Sequence, residues 1–347
     1  AVVEATAVVA ARAVEDDANI WAAAGCGFVL HSSTGGSNWQ VSRDPQDACR
    51  DLFGIAWTPA GTVVAVGKDC LIVRSTDGGA SWQESDVPRS ETLFSVVSLP
   101  GGALSAVGDD GAVFISVDEG RQWTDRSLGG PGRAVHQTWR SALDGFVVGA
   151  GVAHRTRDGG ASWQAFLDVP ETLNQIFFVD GQTGWIESDF KLWRTIDGGE
   201  SWAEATPTVL FPLYGVRTTL IDAQNWVTAS HLEGAQLWRT RDGGRSYELL
   251  PAGFGMLGFP ALARTPSGRL LVGSSAGVVY FSDDEGASLT PGNENLFPEQ
   301  TMNVFGRRGD GHLFVAAIDA TAPNATRAVL ARSADRGHHF ALEGVAT

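Results

Sequence analysis

The chain has 347 residues, with 40 carboxylates against 25 basic side chains, a formal net charge of −15 and 43% apolar residues. That much apolar material supports a folded core and excludes wholesale disorder. The acidic balance argues against sequence-independent binding to nucleic acid or to an anionic membrane surface, since both reward clustered cations. No apolar run approaches the roughly 18 residues that span a bilayer as a helix.

In chain order, a short segment of the form Ser/Thr-x-Asp-x-Gly-x-x-Trp recurs: Ser32–Trp39, Ser75–Trp82, Ser116–Trp123, Thr156–Trp163, Thr195–Trp202, Thr240–Tyr247, Ser282–Leu289 and Ser333–Phe340. Successive copies are spaced by 39 to 51 residues. Between them lie short β-rich runs broken by Gly, Pro and Asp, four per unit, and nothing with a sustained helical period. Unit two illustrates the pattern, with runs at 52–58, 62–66, 71–75 and 82–85. A four-stranded unit of about 40 residues is the signature of a β-propeller blade. The expectation is all-β: a single β-propeller of four-stranded antiparallel blades, eight of them, with seven as the alternative. Approximate blades are 1–45, 46–87, 88–128, 129–168, 169–206, 207–250, 251–293 and 294–347. Unit one supplies its own first strand near 7–14 and unit eight its own last near 339–343, so closure needs little strand exchange.

The motif makes sense as a hairpin clamp. Its Asp accepts hydrogen bonds from turn N–H groups, its glycines take positive φ, and its Trp packs beneath the blade. Replacing Asp158 or Asp197 by Ala is expected to lower the melting temperature by leaving buried donors unsatisfied. The arginines that precede the motif, Arg74, Arg155, Arg194, Arg239 and Arg332, share one register and read as scaffold.

These segments are the Asp-box, or bacterial neuraminidase repeat. Together with turns such as Val107-Gly108-Asp109-Asp110-Gly111 they resemble the photosystem II assembly and stability factor family of propellers. The resemblance implies an exported, non-catalytic protein that binds other proteins, although that family is usually drawn with seven blades. A start at Ala1 without Met fits an exported, periplasmic protein whose signal has been removed, and equally a chain whose start was simply chosen there.

Other motifs have simpler readings. Gly273-Ser274-Ser275-Ala276-Gly277 matches a nucleophile elbow but falls at a second-to-third strand turn with no following helix. Gly253 to Gly258 matches a dinucleotide fingerprint, yet Phe259-Pro260 follows it. His338-His339 lacks a third ligand, and the three cysteines are too few and too irregular for zinc. No metal or cofactor is therefore expected. A sialidase needs a Tyr nucleophile, a Glu beside it, an acid and three gripping arginines. Only Tyr214, beside Arg217, is placed to serve. Other glycosidases need two converging carboxylates, for which Glu91 and Glu171 are the matching pair. Glycoside hydrolysis is thus the alternative function.

In a propeller the crossings from fourth strand to next first strand, and the second-to-third strand turns, share one face where ligands bind. Candidate ligand or partner residues there are Arg50, Arg89, Glu91, Arg133, His136, Glu171, Tyr214, Arg217, Phe254 and Glu299, with Asn174 and Asn303 beside them. The concentration of Arg predicts a positive mouth suited to a carboxylate, phosphate or acidic peptide. Phe211, Phe254 and Met256 add apolar surface for a plug or a docked partner. Cys49 is placed to pair with Cys26 or Cys70. The function expected is a monomeric scaffold for a membrane-associated protein complex, or a receptor for a small acidic or hydrophobic ligand.

Overall fold

The computed structural model describes residues 8–13, 20–24, 27–32, 40–44, 50–85, 87, 89–129, 132–188, 191–205, 217–222, 224–230, 236–250, 261–264, 269–273, 279–291, 301–307, 313–319, 327–333 and 341–345. They form eight four-stranded antiparallel sheets, each from four strands consecutive in the chain, with none borrowed from elsewhere. Apart from short 3-10 turns there is no helix among them, and hence none long and apolar enough to cross a membrane.

Numbered in chain order, sheet 1 starts at Val8–Ala13 and sheet 2 comprises Leu52–Trp57, Val63–Gly67, Ile72–Ser75 and Gln83–Glu84. Sheet 3 comprises Leu93–Ser98, Leu104–Gly108, Val113–Ser116 and Thr124–Asp125. Sheet 4 comprises Ala134–Trp139, Gly145–Gly149, Val152–Thr156 and Gln164–Asp168, and sheet 5 Leu173–Phe178, Gly184–Ser188, Leu192–Thr195 and Ala203–Glu204. Sheets 6, 7 and 8 open at Arg217–Leu220, Ala261–Arg264 and Thr301–Arg307.

The chain divides into two compact units, one holding residues 22–30 and 41–204 and the other the remainder. Within the first, the opening strands of sheets 2 to 5 lie side by side in succession. The second strands there are buried along their whole length, as expected for continuous apolar runs such as Val63–Gly67 covered on both faces. Between sheets 2 and 3 the core is Val64, Val66, Ile72, Leu93, Leu104 and Phe114. Between sheets 4 and 5 it is Phe146, Val148, Leu173, Ile176, Ile186 and Trp193. Box aromatics serve these seams: Trp123 packs on the first and Trp202 on the second. In the other unit, Val227, Leu237, Leu250, Leu270 and Val272 form the equivalent seam of sheets 6 and 7.

Six boxes are described, and each makes the same bonds, except that Gln122 in sheet 3 replaces the serine that donates its hydroxyl to the box Asp in the other five. In sheet 4 the Thr156 hydroxyl donates to Asp158 Oδ1 at 2.7 Å and accepts from the buried Gly160 N–H at 2.8 Å. Asp158 then takes the Ser162 N–H at 2.9 Å and the Ser162 hydroxyl at 2.6 Å. The hydroxyl residue is buried while the carboxylate faces solvent. This corrects the expectation that Asp holds the buried donors: Thr or Ser does, and Asp braces it from outside.

The hydroxyls of Ser81 and Ser162, with the adjoining N–H groups, hold Asp77 and Asp158 down to about 2. A carboxylate whose folded value is depressed stabilises the protein above its unfolded value and stops doing so as pH falls through the folded one. Thermal stability is therefore expected to persist down to about pH 4 and to be lost between about pH 4 and 2, as read by circular dichroism melts across that range. Loss complete above pH 5 would contradict it.

Arg155 and Arg239, each just before a box, act as scaffold. Arg155 is buried over the Phe146 ring, pairs with Asp144 at 2.8 Å and reaches the Gly199 carbonyl of the next box at 3.1 Å. Arg239 likewise donates to the Asp284 and Glu285 carbonyls at 3.3 and 3.2 Å.

Candidate functional site

The loop face of the first unit is built by main-chain bonds. In sheets 2, 3 and 4 the second-to-third strand turn is tied to the crossing that enters its own sheet, through Lys68 N to Asp51 O at 2.8 Å, Asp109 N to Thr92 O at 2.9 Å and Ala150 N to Arg133 O at 2.9 Å. The same turns reach the crossing into the next sheet, through Cys70 N to Glu91 O at 2.7 Å and Gly111 N to Gly132 O. Glycines 67, 108 and 149 let the backbones meet, since a side chain there would occupy the space of the carbonyl opposite.

A bulge follows at the second residue of the opening strands of sheets 2 to 5, where the ladder slips at Phe53, Phe94, Val135 and Asn174. Phe53 and Phe94 meet with ring centres 6.1 Å apart, and the Arg133 guanidinium lies over Phe94 at 4.5 Å. Leu-Phe at the same place in both units was the signal available in the sequence.

Arg50, Arg89 and Arg133, the described side chains among the arginines expected to make a positive mouth, each have a carboxylate partner. Arg50 holds both Glu84 oxygens at 2.7 and 2.8 Å. Arg89 takes Glu91 at 2.8 and 2.7 Å, Asp125 at 3.3 Å and Ser127 at 2.7 Å. Arg133 pairs with Asp109 at 2.9 Å and remains 59% exposed. The described part of the face is therefore a mosaic of cation–carboxylate pairs. The Arg89 guanidinium keeps the Glu91 carboxyl below its ordinary range.

Glu171 lies 3.5 Å from Lys191, which is also 3.5 Å from Glu204. Glu91 and Glu171 thus belong to different crossings, each engaged with its own cation. His136 sits deeper, and burial lowers its imidazole to about 4, so it is neutral at physiological pH. Its Nδ1 faces the Ile176 N–H at 3.5 Å. The Cys70 thiol is buried beside Glu91 at 3.9 Å and pushed up to about 11, first by burial and then by that carboxylate. Cys26, Cys49, Tyr214, Phe211, Phe254, Met256 and Glu299 lie outside the described residues, and for Arg217 and Asn303 only the strand is described. Among the described residues no group of His, Cys, Asp or Glu could hold a metal ion.

Sheets of this kind, with their boxes and close-packed turns, define a β-propeller of the BNR-repeat type. A family model described as photosynthesis system II assembly factor YCF48 matches residues 51–168. The photosystem II assembly lipoprotein Ycf48 of Synechococcus sp. (strain CC9902) is 27% identical over 183 residues, or 51% of this chain and 54% of that protein. The chain thus spans about half the length of that curated relative. A solved structure titled YCF48 bound to D1 peptide superposes with a TM-score of 0.59 at 16% identity, covering 80% of this chain and 92% of that one. YCF48 from Cyanidioschyzon merolae gives 0.58 at 18% identity, covering 80% and 94%. The chain is a BNR-type β-propeller similar to this photosystem II assembly factor.

Proposed function

We propose that this protein is a non-catalytic, exported propeller, periplasmic in location, that binds a segment of a membrane-associated protein and helps assemble its complex. The observation that carries the reading is the exposed Arg133 stacked on Phe94 and shared with Asp109. A guanidinium with an aromatic backing and only one ion-pair partner can exchange or share that partner with an incoming peptide carboxylate at little desolvation cost. Support of a different kind comes from the relatives. One is named an assembly lipoprotein, and a solved structure of YCF48 has a D1 peptide bound.

The test is capture from a detergent-solubilised native membrane fraction, with wild type and Arg133→Glu compared quantitatively. Loss of about tenfold in one recovered membrane protein, with an unchanged melting temperature, is the expected result. Equal recovery by both proteins, or recovery of no membrane protein by wild type, overturns the reading.

A further inference from the structure

At four of the described junctions the third residue after the box aromatic position closes the seam to the following sheet, and it does so by three chemistries. Ser42 donates to Gly79 O at 2.9 Å and accepts the Trp82 indole N–H at 3.0 Å. Ser85 donates to Gly120 O at 2.6 Å, the same carbonyl that takes the Trp123 indole at 3.1 Å. Phe166 stacks on Trp202 with ring centres 5.8 Å apart, and Leu250 packs against Gly286.

At the junction of sheets 3 and 4 the equivalent residue is Arg126, and it makes none of these closures. Its side chain is exposed and, among the described residues, the guanidinium has no hydrogen-bond or ion-pair partner. The Trp163 indole N–H, which a serine there would satisfy, has no partner either. A cleft of about 330 Å³ opens at this seam, lined by Asp125, Arg126, Ser127, Leu128, Ala161, Ser162 and Trp163.

We infer that this cleft is a binding site for a peptide carboxylate, held by the Arg126 guanidinium. The charge argument is local. Asp125 is already committed to Ser127 and Arg89, and Ser162 to Asp158, so Arg126 is the one charge on the lining without a partner. An unpaired guanidinium at the mouth of a polar cleft favours a planar anion that it can grip with two parallel bonds. A cleft of this size admits one acidic side chain, or a chain end, with its flanking backbone. The inference rests on the cleft alone and stands whether or not the loop face binds a membrane protein.

The test is calorimetric titration of the purified full chain with acetyl-Glu-Glu-Glu-amide, acetyl-Ala-Ala-Ala with a free terminus, and acetyl-Gln-Gln-Gln-amide. Saturable binding of one of the first two, absent for the third, is expected, and which of them binds tells side chain from chain end. Arg126→Gln should weaken it about tenfold, while Arg245→Gln, an exposed arginine in the other unit, should not. Arg126→Ser should lose binding and raise the melting temperature, because the seam closes as it does at Ser42 and Ser85. Equal binding of the neutral peptide, undiminished binding by Arg126→Gln, an equal loss in Arg245→Gln, or no rise in melting temperature for Arg126→Ser each overturns the inference.

Discussion

Gly149→Ala is expected to cost more than about 4 kcal/mol, a range in which a marginally stable protein no longer stays folded. The cause is contact rather than torsion. A Cβ on Gly149 would lie 1.5 Å from the Arg133 carbonyl oxygen, and at the matching Gly108 and Gly67 it would lie 2.2 and 1.9 Å from the Thr92 and Asp51 oxygens. These atoms are main chain, so no rotamer can move them, and relief requires breaking the bonds that hold the turn to the crossing. Gly101 is the control: its φ is +94 but an added Cβ meets nothing within 4 Å. Gly101→Ala should therefore cost only about 1 kcal/mol of backbone strain. Urea unfolding of both variants checks this, and a Gly149→Ala midpoint equal to that of Gly101→Ala would remove the close-approach explanation.

The second large effect belongs to the box threonine. Thr156→Val keeps the shape but leaves the buried Gly160 N–H without its acceptor, an expected loss of about 1 to 3 kcal/mol. Asp158→Ala removes bonds made at the surface, where water replaces them, so its melting temperature should fall by less. Thermal melts of the two variants decide the order. A larger fall for Asp158→Ala would restore the carboxylate as the principal clamp.

That reversal shows where the sequence is informative and where it is silent. Box spacing carries the fold because each copy marks one hairpin, and hairpins joined in series make four-stranded sheets. It also places Arg50, Arg89, Glu91 and Arg133 at the crossings. What it cannot carry is pairing over distance: Arg89 and Asp125 stand 36 residues apart and meet only through the register of sheet 3. Among the described crossings, pairing of that kind leaves Arg50, Arg89 and Arg133 each beside a carboxylate. The bulges at Phe53 and Phe94 leave only the repeated Leu-Phe pair as a trace, because strict strand alternation assigns those rings to the opposite side.

The bonds joining turn to crossing involve only N–H and C=O groups, so the frame is indifferent to what the side chains between its glycines are. Lys68-Asp69 and Asp109-Asp110 fill equivalent slots of the same 3-10 turn with opposite or doubled charge, and Ala150, in a turn one residue shorter, keeps the same bond to its crossing with no charge. Such a surface can be reassigned to a new partner by exchanging those few letters, with no new loop to fold and no stability to recover.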